Sequence, residues 1–204
     1  MAYASRTGTR RNLEALRRAG WRLMVSARGV LRAEGFAYAL DNGAWTAHQR
    51  GESFDELAFE RAYARLGAAA DFVIAPDVVA DATASLELTR AWLPRLVDAR
   101  LVLVSVQDGM CADDVDGLVG PRVGIFMGGS TEWKLANLVR WGRWCRARGL
   151  YYHVGRVNTV RRIRLCAEAG ADSFDGSSVT RFARNIGRLD RARRQGDLFG
   201  GRHA

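Results

Sequence analysis

The sequence predicts an α/β fold closed into a compact (β/α)8 TIM-like barrel, and three observations carry that expectation. Short, continuously apolar segments alternate with amphipathic ones along most of the chain, which is the pattern of parallel strands covered by helices. Eight strand starts can be read, at Ala2, Trp21, Phe36, Phe72, Leu101, Val123, Tyr151 and Ser173. Polar residues or glycines end many of these segments, as at the catalytic face of a barrel, and no Gly-x-Gly-x-x-Gly turn of an open doubly wound sheet follows an early strand. The 204 residues fall short of the roughly 250 usual for this fold, so the barrel must be a small one.

The elements follow in order. Residues 2–5 read as a first strand, 10–18 as an amphipathic helix stopped by Gly20, and 21–26 as a second strand. The connection through Gly29 and Gly35 is too short for a full helix, so a third strand, 36–40, comes next and ends at Asp41. Ser53-Phe54-Asp55-Glu56 has the form of a capping box opening a helix to about Leu66. The alternation then becomes regular. Strand 72–75 is broken by Pro76-Asp77 and followed by a helix over 85–97. Strand 101–106 ends on Gln107-Asp108-Gly109 with a short helix behind it, and strand 123–127 ends on Gly128-Gly129-Ser130-Thr131 before a helix over 133–148. Strand 151–154, a helix over 158–169 stopped at Gly170, and a very short strand at Ser173-Phe174 complete the count. A last helix is expected to carry Arg181 and Arg184 one turn apart on one face. Residues 1–190 are thus expected to form a single barrel domain, and 191–204 a basic, disordered tail.

Composition narrows the partners. Lys plus Arg number 31 against 22 Asp plus Glu, a formal charge of +9, which favours a polyanion such as nucleic acid over an acidic small molecule. Lys134 is the only lysine, so the positive charge is almost all guanidinium, the group that binds phosphate bidentately. Cys111, Cys145 and Cys166 are odd in number and lack a Cys-x-x-Cys pair, so neither a disulfide framework nor a zinc site is expected. Residues 1–11 hold no apolar signal core, and no apolar run approaches the roughly 20 residues of a membrane span; the cytoplasm is the expected compartment.

The catalytic face of a barrel lies at the C-terminal ends of its strands. Here those ends carry Asp41, Asp77, Gln107-Asp108, Gly128-Gly129 and Asp175. Each has a plainer reading as well. Asp41-Asn42-Gly43 is a tight-turn signal, Asp77 and Asp175 are possible loop or cap residues, and the glutamine and glycine motifs suit simple turns. His153, near a strand end, reads as structural.

In order along the chain, Asp-Asn-Gly, Asp-Phe-Val-Ile-Ala-Pro-Asp, Val-Gln-Asp-Gly, Met-Gly-Gly and Asp-Ser-Phe-Asp followed by Thr-Arg-x-x-Arg-Asn resemble the tRNA-guanine transglycosylase superfamily over roughly residues 36–186. The most specific part is Phe174-Asp175 with Thr180-Arg181 and Arg184-Asn185 at the family spacing. The resemblance implies that Asp175 is a nucleophile attacking C1′ of a nucleotide, and that Asp41 is a general base acting on the incoming base. It further implies that Asp77, Gln107 and the Gly128-Gly129 backbone recognise a guanine-like edge, and that Arg181 and Arg184 hold flanking phosphates. No cofactor or metal is implied.

Departures from the tRNA enzymes point within the superfamily. The clustered zinc-binding cysteines and histidine after the nucleophile motif are missing from these 204 residues, no RNA-binding appendage is expected, Asp108 stands where glycine is usual, and Asn42 where serine is. A compact, basic, zinc-less chain looks more like the DNA-modifying, DpdA-type branch, which exchanges guanine in DNA for a free 7-deazaguanine base, and suits a phage-encoded version. The alternatives are a hydrolytic glycosylase removing a modified base, a tRNA-guanine exchange enzyme, and a non-catalytic nucleic-acid-binding barrel.

Overall fold

In the computed structural model, which describes residues 1–5 and 9–199, eight parallel strands close into a barrel in sequence order. They are β1 (Ala2–Ser5), β2 (Arg22–Ser26), β3 (Tyr38–Asp41), β4 (Val73–Ile74), β5 (Val102–Val106), β6 (Val123–Met127), β7 (Tyr152–Val154) and β8 (Ser173–Gly176). Each pairs with the next, and β8 returns to β1 with Tyr3 opposite Asp175. The helices are α1 (Arg10–Arg18), α2 (Ala44–Gln49), α3 (Glu56–Leu66), α4 (Ala82–Trp92), α5 (Thr131–Ala147), α6 (Val160–Ala169), α7 (Ser178–Arg181) and α8 (Ile186–Phe199).

Side chains on a strand alternate between two faces, and this separates two apolar clusters. Leu23, Val25, Leu40, Val73, Val102, Val104, Ile125, Tyr152 and Val154 face outward and pack with Leu16, Phe59, Trp92, Leu138, Trp141 and Ile163 of the helices. The intervening residues, Tyr3, Met24, Ala39, Phe72, Ile74 and Leu103, fill the barrel interior together with Phe126 and Tyr151. The aromatic content of the inner set follows from geometry: a small barrel with short strands has few inward positions, so most of them must supply a large volume, with Ala39 the small one.

Several elements differ from the sequence expectation. Helix α2, for which the sequence gives no expectation, follows Asp41-Asn42-Gly43 directly; Gly43, at φ 87°, precedes it. Asp55, rather than Ser53, caps α3, its side chain accepting from Ala58 N–H at 2.9 Å. Helix α4 starts at Ala82 under an Asp81 cap and stops at Trp92, where Pro94 forces a 3-10 turn over Leu93–Arg95. The short helix expected behind β5 is a single 3-10 turn, Ala112–Asp114. Arg181 and Arg184 do not share a helix face. Phe182, with extended backbone at φ −136° and ψ 98°, separates α7 from a 3-10 turn over Ala183–Asn185. The segment from 191, expected as a disordered tail, continues α8 to Phe199 because Leu189 and Ala192 bury an apolar face; residues 200–204 lie outside the described residues.

Candidate active site

The same alternation that fills the barrel places polar groups at its mouth. Continuing each inner face towards the strand's C-terminal end takes Tyr3 to Ser5, Met24 to Ser26, Ala39 to Asp41, Ser105 to Gln107 and Ser173 to Asp175. A cavity of about 530 Å3 opens there, lined by Asp41, Asp77, Gln107, Gly128, Gly129, Asp175 and Arg181 among others. Of the residues to which the resemblance gives a role, Arg184 alone does not line it.

Asp175 sits on the last strand with 13% of its side chain exposed. Its two carboxylate oxygens accept the backbone N–H of Arg156, at 3.0 Å for Oδ1 and 3.2 Å for Oδ2. Arg156 can present that N–H because its backbone is left-handed, at φ 60°. The loop that holds it is pinned from behind by Lys134, which is buried and donates to Gly155 O at 2.6 Å. Burial, with the Arg156 charge adding to it, pulls the Lys134 ammonium down to about 7. Beyond Asp175, Asn158 Oδ1 accepts from Ser177 N–H and Ser178 N–H at 2.8 Å each, fixing the turn into α7.

Asp41 and Asp77 are carboxyls whose surroundings oppose their charge. Burial raises Asp41 to about 7; the Ser26 hydroxyl pulls it back, and the charges of Asp175 and Asp77 push it up again. Burial raises Asp77 to about 6 against the pull of Asn42, Gln107 and Ser105. Asn42 Nδ2 donates to Asp77 Oδ1 at 2.6 Å and to Ala75 O at 2.7 Å, while its Oδ1 accepts Ala44 N–H at 2.9 Å. Gln107 Nε2 donates to Asp77 Oδ2. That bond fixes the amide, so Gln107 Oε1 faces the other way and accepts Gly129 N–H at 2.9 Å and Ala80 N–H at 3.2 Å. Asp77, Gln107 and Gly129 therefore form one hydrogen-bonded arc across the floor of the cavity.

Gly129 must be glycine. Its φ is 71°, and a Cβ would lie 2.6 Å from Asp108 Oδ2 and 2.7 Å from the Trp133 ring. Asp108, read from sequence as part of a turn, closes that loop by accepting Ser130 N–H at 2.6 Å and the Ser130 hydroxyl at 2.5 Å.

Among the lining residues to which the sequence reading gave no role, Arg156, Trp45 and Asn42 do most to shape the site. Arg156 donates from Nη2 to Gly129 O, and its guanidinium lies 4.1 Å over the Trp45 ring, so one side chain ties together the loops after β3, β6 and β7. Trp45 is 37% exposed at the rim on α2. Asn42 looked like a turn residue, yet its side chain orients Asp77. Phe182, next to Arg181 in the chain, is 50% exposed with the Arg184 guanidinium 5.4 Å from its ring centre. Arg28 also borders the cavity, but it is engaged by Asp55 at 2.6 Å and by Glu52.

Chemically, the site offers an aspartate held by one backbone N–H shared between its two oxygens, a second carboxyl raised towards neutrality, and an acceptor-donor arc suited to a flat polar heterocycle. Among the described residues, no group of three or more His, Cys, Asp or Glu is placed to hold a metal ion, and no helix is long and apolar enough to cross a membrane. No family model matches the chain, and no curated protein matches it.

Proposed function

We propose that the protein is a DNA guanine transglycosylase, exchanging a guanine in DNA for a free 7-deazaguanine base. The observation that carries this reading is the meeting of Asp175, Asp41 and the Asp77–Gln107–Gly129 arc in one cavity of about 530 Å3, a size that takes one flipped nucleotide. Arg181 at the rim, with Arg184 outside it, supplies charge for the phosphates flanking that nucleotide.

The chemistry then runs in two balanced halves. Ionised Asp77 accepts the N1–H and exocyclic amine of the extruded guanine, while Gly129 N–H turns from Gln107 Oε1 to O6 and the second hydrogen of Gln107 Nε2 donates to the same oxygen. A carboxylate oxygen of Asp175 attacks C1′. The C1′–N9 bond breaks with its electron pair on the base, which takes a proton from Asp41, and a glycosyl ester remains. In the return half, Asp41 takes the N9 proton of the incoming 7-deazaguanine as that nitrogen bonds to C1′ and Asp175 leaves as carboxylate. A carboxyl titrating near 7 can serve in both directions.

The test is incubation with duplex DNA, or with tRNA, and a labelled 7-deazaguanine. Label should enter DNA, and Asp175→Ala should reduce its entry by about 10^3-fold or more. Label entering tRNA alone would replace the polymer, and abasic sites formed without added base would make the protein a glycosylase. Undiminished transfer by Asp175→Ala would remove the nucleophile assignment.

A further inference from the structure

We propose that His153 is a positioning residue for Asp175: a neutral imidazole, locked in its Nε2–H tautomer inside the barrel, that presents this hydrogen to the carboxylate and receives its charge when the glycosyl ester breaks. The second half of that statement rests on the function proposed above.

The ring has a single orientation. His153 is fully buried, stacked on Phe126 at an interplanar angle of 13° and 5.2 Å between centroids. Phe72, at 5.0 Å, and Tyr3, at 5.9 Å, enclose it further. Nδ1 lies 2.7 Å from Ser173 Oγ, and the same hydroxyl oxygen receives the Tyr151 O–H at 2.8 Å. A serine hydroxyl has one hydrogen to give. Tyr151 donates to the oxygen, and no other acceptor for the serine hydrogen is found among the described residues, so we assign that hydrogen to Nδ1, which makes Nδ1 the acceptor and leaves the ring proton on Nε2.

Nε2 has no hydrogen-bond partner of its own, and Asp175 Oδ1 lies 4.0 Å away. A buried donor left without an acceptor is costly, and a carboxylate shift of about 1 Å would bring the pair to hydrogen-bond distance. The charged groups around the ring are Asp175 on β8, Lys134 on α5 and the N-terminal ammonium. Burial is the largest influence and lowers the imidazole pKa from its ordinary value; the two cations add to that, and Asp175 opposes it. The ring is therefore neutral at pH 7.

The consequence is asymmetric. A donor on Asp175 does little to help the carboxylate attack, because it stabilises the attacking charge. When the C1′–O bond breaks, its electron pair returns to Asp175, and Nε2–H joins Arg156 N–H in receiving it. His153 thus assists release more than formation.

Two measurements decide the matter. Ring 15N shifts of the free protein at pH 7, with the His153 signals assigned by their loss in His153→Phe, should show protonated Nε2 and unprotonated Nδ1, and the Nε2 shift should move in Asp175→Ala. The opposite tautomer, a doubly protonated ring, or indifference to Asp175 would overturn the placement. Single-turnover kinetics of adduct formation and release should then show release slowed about 10^2-fold in His153→Phe with formation unchanged, and largely restored in His153→Gln, which regains an N–H donor. Equal slowing of both steps, or none, would overturn the role. If the parent protein forms no adduct with DNA or tRNA, the proposed function fails, and the 15N measurement decides the placement of His153 by itself.

Discussion

Asp41 shows how far a single residue's chemistry is set by where its strand ends. Its folded pKa of about 7 lies above the ordinary 3.8 because burial penalises the charge. The fold therefore favours the protonated form, and stability is complete below about 3.8 and declines as pH rises through about 7. Asp41→Asn is expected to melt above the parent at pH 8, with the gap closing as pH falls from about 7 towards 4, as calorimetry can record. Asn42→Ala removes the donor to Asp77 Oδ1 and leaves Ala44 N–H without its acceptor. It should cost about 1–3 kcal/mol in urea unfolding. It should also move the acid limb of kcat/KM, expected near the Asp77 value of about 6, to higher pH, since Asp77 loses a bond that favours its charge. The carboxylates were legible in the sequence because each ends an apolar strand. Arg156 was not, because its role depends on a left-handed backbone at its own position and on a carbonyl, Gly129 O, that belongs to another loop.

At the scale of elements, α5 and α6 approach so closely that Gly142 has no room for a side chain: a Cβ there would collide with Ala169 O and lie 3.2 Å from the Tyr152 ring. Gly142→Ala should lower the urea midpoint by the equivalent of about 1–3 kcal/mol, with the helices spread to make room. Apolar runs marked the helices and strands well where the pattern was long, as in α5 and β5. Short elements were harder to read. Helix α2 is six residues and follows a sequence that also spells a turn, so local propensity could not separate the two. The break at Phe182 is similar: nothing between Thr180 and Asn185 disfavours a helix locally, and the chain leaves α7 there because Thr180 is tied to β1, its hydroxyl donating to Ser5 O at 2.7 Å.

Across the whole molecule, the strand count predicted the barrel, while closure itself depends on β8 finding β1, a contact between the two ends of the chain. The alternation of large inner residues with polar mouth residues was present in the sequence all along, but the two faces become distinguishable only once the ring is closed. The formal charge of +9 is expected to act through phosphate contacts near the mouth. Arg181→Ala and Arg184→Ala should each weaken DNA binding and reduce the slope of log K against log salt by about 1. Arg181→Ala should in addition lower turnover, because Arg181 lines the cavity and Arg184 does not.

The central claim is that Asp175 forms a bond to the sugar, and trapping that bond tests it most directly. Protein mixed with guanine-containing duplex DNA, without added base, is denatured rapidly, digested with nuclease and protease, and mapped by mass spectrometry. A nucleotide sugar attached to the peptide at Asp175, absent from Asp175→Ala and removed by adding 7-deazaguanine before denaturation, is the predicted result; an adduct on another residue, or none while exchange proceeds, would contradict it.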